Sequence, residues 1–315
     1  MHLKNDIKIK DKRIISSSKK DNMLFFLMCA PVILYVFIFS YIPMCGMVIA
    51  FKDYQYDLGI LKSPWVGLGN FEFFFRSDAA WTVTKNTVFL NCLFIVFGRI
   101  FGVLFALLLF ELTKRWAIKL YQSIFMLPYF ISWVVVGFMT YSLLNPQLGL
   151  FNNVLTSIGL KPIQWYSEPS VWPVILTVAS VWKGVGIGCI MFYASLMSID
   201  KGLYEAAEID GATRLQQTFY ISIPFLVPTL ITLTILSIGE LFRGDFGMFF
   251  NLTRDVGALY KTTDIIDTYV FRSLRVIGDV GMSSAVGLYQ SVVGFILVIS
   301  ANALVRKVQS DSALF

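Results

Sequence analysis

Ser198-Ile-Asp-Lys-Gly-Leu-Tyr-Glu-Ala-Ala-Glu-Ile-Asp-Gly-Ala-Thr213 is a polar island between two long apolar runs, 171–197 and 219–241, and it leads into Ile221-Ser-Ile-Pro224. Each flanking run is long enough to cross a bilayer, which takes about 20 mostly apolar residues. The island is therefore a loop at a membrane surface that joins two spans. Tyr204 to Asp210 is made of good helix formers. Gly211 interrupts it and can adopt the positive φ that a helix–turn–helix requires. Asp200 is placed to cap the start of this helix by accepting a backbone N–H bond. Ala206 and Ala207 give the helix a low profile, so that it can press into a cleft, and Glu205 projects for a charge-assisted bond to an arginine.

Working outward, the same hydropathy test yields spans at 23–51, 86–112, 117–144, 171–197, 219–241 and 283–305. The expected fold class is therefore an all-α membrane protein with about six transmembrane helices. Of the 315 residues, 57% are hydrophobic and 15% charged, and mean hydropathy is +0.70. Soluble domains hold about 25% charged residues, so composition points to the membrane as well. The first run is longer than the apolar core of a secretory signal and carries no clear cleavage site, so it reads as an uncleaved span. Pro31 and Pro43 are expected to kink it. Pro128, Pro224 and Pro228 are tolerated because neighbouring helices satisfy the freed carbonyls. Gly98-x-x-x-Gly102 and Gly184-x-x-x-Gly188 are small-residue spacings that let helix backbones approach.

Residues 1–22 form a basic tail with seven Lys/Arg. With that tail inside, the inner segments carry 14 Lys/Arg and the outer ones 9, so both termini are expected on the cytoplasmic face. The implied order is a basic tail (1–22), a first helix (23–51), an extracytoplasmic loop (52–85), a transmembrane core (86–305) containing the loop at about 198–218, and a C-terminal tail (306–315). The 52–85 loop is rich in aromatics and admits two readings, contact with an extracytoplasmic partner or an interfacial aromatic belt.

Several chemistries are excluded. The sole histidine, His2, lies in the tail, which removes histidine triads, zinc sites and proton relays. Cys29, Cys45, Cys92 and Cys189 lie within apolar runs with no redox or metal spacing, and are expected to be small buried hydrophobes. The net charge of +6 is explained by loop anchoring rather than by nucleic acid. No phosphate-binding Gly-x-x-x-x-Gly-Lys-Ser/Thr loop is present.

The island resembles the EAA loop of the permease subunits of binding-protein-dependent ABC importers. That pattern is Glu-Ala-Ala, three residues, Gly, nine residues, then Ile-x-Leu-Pro. Here Glu205, Ala206, Ala207, Gly211, Ile221 and Pro224 fall at the required spacing, and Ile223 replaces the Leu. Asp200 stands where relatives often carry proline. The resemblance covers the chain from the basic tail to the last span. It is nearest to the carbohydrate-uptake, maltose-type branch, and within it to permeases for complex oligosaccharides and polysaccharides. It implies the type I importer permease fold and a multi-pass location in the bacterial cytoplasmic membrane. Tyr204, Glu205, Ala206, Ala207, Asp210, Gly211, Ile221 and Pro224 would then form the ATPase-coupling element. It also implies a second permease subunit as pore partner, two cytoplasmic ATPase subunits holding ATP and Mg, and an extracytoplasmic substrate-binding protein, with membrane lipid around the spans. This chain itself would carry no cofactor and catalyse no reaction. The branch points to a heterodimer of permeases, although nothing in the residues excludes a homodimer.

In maltose-type permeases sugar contacts come from the spans on either side of the loop and from an earlier one. Counting from Glu205, they fall near Trp133, Ser180, Lys183, Gly184, Ile187, Ser237 and Glu240. Trp133 is suited to stack on a sugar face, and Ser180, Ser237 and Glu240 to bond hydroxyls. Lys183 and Glu240 are charges within spans, which face a cavity or a partner; pairing with each other is the other reading. Arg99 and Arg243 are read as snorkelling to an interface, and if Lys183 or Arg243 lines the pore an acidic glycan follows. The rival function is an ion-coupled secondary transporter, disfavoured because no internal repeat is visible. An intramembrane enzyme and an assembly subunit without a pore are disfavoured by the absent catalytic groups and by the EAA-type loop.

Overall fold

The computed structural model describes residues 19–308. Most of the tail read as 1–22, and the last seven residues, lie outside them. The described residues are almost wholly helical, with one isolated antiparallel bridge between Lys52 and Trp65. They divide into two compact units, residues up to Val48 and residues from Ile49 onward.

The first unit is α1 (Lys19–Val36), which contains Pro31, followed by a π turn at Phe37–Tyr41 and a short helical piece at Ile42–Met44. The candidate span Met23–Phe51 runs through all of these. The π turn has a local cause. Pro43 has no N–H to offer the carbonyl four residues back, and the ladder slips by one residue, so that the Ile42 N–H bonds Phe37 O.

After short helices at Gly59–Lys62 and Gly69–Phe75 the second unit enters α2 (Asp78–Phe110), then α3 (Arg115–Met126) and α4 (Trp133–Leu144). It continues with α5 (Trp172–Met197), α6 (Lys201–Ile209) and α7 (Ile223–Gly239). α8 (Phe246–Thr253), α9 (Ile266–Arg272) and α10 (Val280–Val308) complete it. Among the described residues five stretches are long and apolar enough to cross a membrane, or six if the bent pair Arg115–Phe130 with Trp133–Leu144 is counted as one span.

Two sequence expectations need correcting. The run 117–144 is not one helix but two, meeting at 93°. Pro128 initiates a 3-10 turn at Leu127–Phe130, Ile131 is extended, and the Ser132 hydroxyl caps α4 by accepting the Val135 N–H at 3.4 Å. In addition α2 begins at Asp78, eight residues before the apolar run. Its 33 residues rise about 50 Å, well beyond the apolar thickness of a bilayer, so its first turns project past it. There Ala80 and Val83 pack with Phe74, Met282 and Val286.

α2 and α5 form the central pair. Only one glycine from each motif is at their contact. A Cβ on Gly102 would lie 3.2 Å from Phe192 and 3.5 Å from the Gly188 backbone, whereas Gly98 and Gly184 face open space. Near this seam, towards the 198–217 loop, Ala106, Leu109, Cys189, Phe192, Leu196 and Leu226 pack together. Of the cysteines only Cys189 is buried; Cys29, Cys45 and Cys92 are exposed, since an apolar side chain in a span need not face the core.

At the far end a polar clasp closes the segment after α8. Arg272 pairs with Asp255 at 3.0 Å and with Asp264, and lies 4.0 Å over the Tyr260 ring. Asn86 of α2 donates to Asp264 O at 3.1 Å. Burial pushes the Asp264 carboxyl above its usual range, against a hydrogen bond from Thr268 and the Arg272 charge.

Candidate functional site

Two regions collect the sequence-predicted residues. The first is the loop between α5 and α7. Asp200 caps α6 as expected, its carboxylate accepting the Gly202 N–H at 2.9 Å. Gly211 has φ +81° and ends the helix, with the Ala212 N–H returning to Ala207 O at 2.9 Å. A capping box follows: Thr213 accepts from the Gln216 N–H, and the Gln216 side chain accepts from the Thr213 N–H at 2.7 Å. A π turn at Thr218–Ser222 then joins α7, with the Ile223 N–H reaching Thr218 O because Pro224 has no N–H for the carbonyl four residues back. The Ile42-Pro43 pair produces the same slip, so this turn is a property of its proline.

Tyr204 anchors the loop inward. Its hydroxyl shares a 2.8 Å hydrogen bond with Ser222, and its ring packs against Phe110. Ile221 packs on the same cluster. Outward, Glu205, Ala206, Asp210 and Pro224 are exposed, and Ala207 is half-buried. Ile209 and Leu215 are 87% and 72% exposed. Among the described residues nothing in this chain covers that surface or pairs with Glu205.

The second region is an open cleft of about 490 Å³ between α2, the start of α4, α5 and the segment after α7. It is lined by Trp133, Ser180, Gly184, Ile187, Ser237 and Glu240, six of the seven residues expected there. The Glu240 carboxylate is exposed and has no hydrogen-bond or ion-pair partner among the described residues. Ser237 is engaged, receiving a bond from the Arg99 guanidinium, which also donates to Leu233 O at 2.8 Å.

Lys183 is the exception. It neither lines the cleft nor pairs with Glu240. Its ammonium donates to the carbonyls of Pro128 at 3.2 Å, Tyr129 at 2.7 Å and Ile131. These carbonyls belong to the break between α3 and α4, where helical bonding has stopped. The cation thus satisfies backbone groups that apolar surroundings would otherwise leave costly. α5 can bring Lys183 there because Gly186, one turn on, has no side chain: a Cβ would stand 2.2 Å from Phe125 O.

Arg99 and Arg243, read from the sequence as snorkelling, line the cleft, and Asn91 and Asp245 join them. The Asp245 carboxylate receives the Trp133 indole N–H at 2.5 Å and caps α8 through the Met248 N–H at 3.1 Å. This fixes the indole at the cleft wall. The irregular segment 240–245 is pinned by Asn91 donating to Leu241 O at 2.8 Å, Gln290 to Phe242 O at 2.6 Å, and the Gly244 N–H to Asp267 at 2.7 Å. Non-helical backbone lining a cavity is the pattern of transport sites. Arg99 was findable from sequence, because a charge at mid-span is by default a functional candidate. Asp245 carried no such signal.

A membrane bundle with an exposed, self-capped loop helix and a polar cleft beside a broken span is the architecture of an importer permease. Residues 98–310 match the family described as binding-protein-dependent transport system inner membrane component, and the chain belongs to that family. It is 34% identical over 300 residues to the polygalacturonan/rhamnogalacturonan transport system permease protein YteP of Bacillus subtilis (strain 168), covering 95% of this chain and 92% of that one. It is also similar to a chain of a bacterial ABC transporter involved in the import of the acidic polysaccharide alginate. The TM-score is 0.84, with 32% identity and coverage of 92% of this chain and 97% of that one. A bacterial alginate ABC transporter in complex with an alginate pentasaccharide-bound periplasmic protein matches with TM-score 0.83, 32% identity and coverage of 92% and 96%.

Proposed function

We propose that this chain is a pore-forming permease subunit of an ATP-driven importer for acidic oligosaccharides. The observation that carries the transport reading is the loop at 198–217. A helix built and capped entirely by its own residues presents Glu205, Ile209 and Leu215 to no partner within the chain. Such a surface fits a cleft on a cytoplasmic ATPase subunit, with Glu205 meeting an arginine and the apolar side chains seated beside it. Tyr204, Ala206, Ala207, Asp210, Gly211, Ile221 and Pro224 hold the element in shape and on the foot of α7.

Two ATPase subunits holding ATP and Mg, a second related permease and an extracytoplasmic binding protein complete the assembly. The periplasmic protein bound to the alginate transporter supports the last of these. Both termini lie in the cytoplasm, a reading supported by the Lys/Arg bias of the inner segments. ATP-driven closure of the ATPases moves α6 and reorients the helices around the cleft, giving alternating access.

Trp133, Ser180, Gly184, Ile187, Ser237 and Glu240 contact the glycan, joined by Arg99 and Arg243. Arg243 is exposed at the wall and forms no salt bridge among the described residues, although the Asp267 carboxylate lies within electrostatic reach, and its free guanidinium suits a uronate. The test is co-purification of tagged protein with and without Glu205→Ala plus Gly211→Pro, followed by ATPase assay and identification of bound subunits. Wild type should bring an ATPase and a second permease, and the variant should lose the ATPase. Wild type purifying alone under gentle conditions would move an ion-coupled transporter to the front. For the substrate, Arg243→Gln should depress uptake of acidic sugars more than neutral ones, and equal uptake removes the acidic reading.

A further inference from the structure

Beyond the cleft, towards the far end, α4 and α8 enclose a second hollow of about 240 Å³. Its floor is Gly137, where a Cβ would stand 2.7 Å from Asn251 O, so only glycine lets the two helices approach this closely. Its walls are Val134, Phe138, Tyr141 and Phe250, and Arg254 closes one side. The guanidinium lies 4.1 Å over the Tyr141 ring. The side chain is exposed and has no carboxylate partner among the described residues.

The backbone here is unusual. Arg254 ends α8 at φ +56°, and Asp255 follows at φ +51°. Helices commonly end this way on glycine or asparagine, because a Cβ in the left-handed region crowds the following carbonyl oxygen. The conformation is enforced from both sides. The Tyr166 hydroxyl donates to Leu252 O at 3.2 Å, and Asp255 is held by Arg272 and by the Tyr260 hydroxyl at 3.0 Å. Residues kept in such regions by their surroundings concentrate at functional sites.

We propose that this hollow is an outer station for a carboxylate-bearing sugar residue of the incoming glycan. Arg254 is the anion ligand, and Tyr141 with Phe138 is the ring platform. The inference rests on the acidic-oligosaccharide reading of the cleft. A guanidinium pre-oriented on an aromatic face, charged and unneutralised, recognises a carboxylate by paired N–H bonds while the neighbouring rings take the sugar face. α4 and α8 both run from the cleft to the hollow. Trp133 and Asp245 stand at the inner end, Tyr141 and Arg254 at the outer. Trp133 and Tyr141 are eight residues apart, a rise of about 12 Å. A chain of several sugars reaches both places, and a single sugar only one.

The test is uptake by cells carrying the whole assembly, with tri-galacturonate, tri-mannuronate, the corresponding monosaccharides and the carboxyl-reduced neutral trimers as labelled probes. Arg254→Gln, Arg254→Lys and Arg254→Gly are compared with wild type after correcting for membrane abundance. Arg254→Gln and Arg254→Gly should raise the half-saturating concentration of an acidic trimer about tenfold, the worth of one charge-assisted contact. Monosaccharides and neutral trimers should be unaffected, and Arg254→Lys should recover part of the loss. Glycine relieves the strained backbone, so a merely structural arginine would tolerate that change best. If Arg254→Gly imports acidic trimers like wild type, or if acidic and neutral trimers suffer equally, the outer station is wrong and the cleft reading stands. If wild type imports no acidic trimer, both readings fall.

Discussion

The loop at 198–217 and the break at 127–132 both interrupt helices, yet they are held by opposite means. The loop is secured from within a few residues by Asp200, Gly211 and the Thr213–Gln216 box. The break is secured from 50 residues away, by the ammonium of Lys183 on three carbonyls and by Asp245 on the Trp133 indole. The surface proposed to meet another protein is built to be self-sufficient. A wall that must enclose a cavity draws its support from the neighbouring helices across it.

The largest effect should come from removing the remote support. Lys183→Met leaves the carbonyls of Tyr129 and Ile131 without a donor, Pro128 O keeping the Ile131 N–H, and at 1–3 kcal/mol each the loss should be about 2 kcal/mol or more. Thermal stability in detergent and glycan uptake should both collapse, and Lys183→Arg should restore much of each. Wild-type behaviour of Lys183→Met would show that the break supports itself.

The far-end clasp tests the same idea at a water-accessible place. Arg272→Ala strands the buried Asp264 carboxylate and should cost about 3–5 kcal/mol near neutral pH. In that variant the folded state binds the Asp264 proton more tightly than the unfolded chain does, because burial raises its pKa and the opposing cation is gone. Stability should therefore recover as pH falls from neutrality towards the ordinary carboxylate range. A loss that does not vary with pH would mean that the carboxylate is not the strained partner.

Local changes should cost less and stay local. Gly211→Ala places a Cβ in the left-handed region, about 1–2 kcal/mol, and Asp200→Ala removes one cap, about 1 kcal/mol. Each should weaken ATPase co-purification while leaving a glycan bound in the cleft with unchanged affinity. If either alters cleft affinity, the two regions are not independently held.

The same contrast decides what the sequence could reveal. Asp200 and Gly211 were readable because a cap and its helix are close in the chain; the π turn at Thr218–Ser222 was not read, although the Pro224 that causes it is just as near. The spans were readable because hydropathy reports on solvent rather than on partners. The break was not: Pro128 announced a disturbance, but its 93° size depends on Lys183 and Gly186 of another helix. The start of α2 was missed because Asp78–Lys85 is polar, its buried face completed only by Phe74, Met282 and Val286. In the cleft, offset from Glu205 located six lining residues. The seventh, Lys183, has its ammonium on the carbonyls of the break, because an intramembrane charge can serve the backbone as well as a substrate.

The 26 residues Arg214–Gly239 form one apolar stretch from the loop to the cleft. At 1.5 Å per residue its length is about 39 Å, so a tilt of about 5° at the foot carries the far tip about 3 Å sideways. The Tyr204–Ser222 bond ties α6 to that foot. Under the proposed coupling that helix is a lever: a displacement of the loop too small to break its own caps is enough, at Glu240, to make or withdraw a hydrogen bond to a bound glycan.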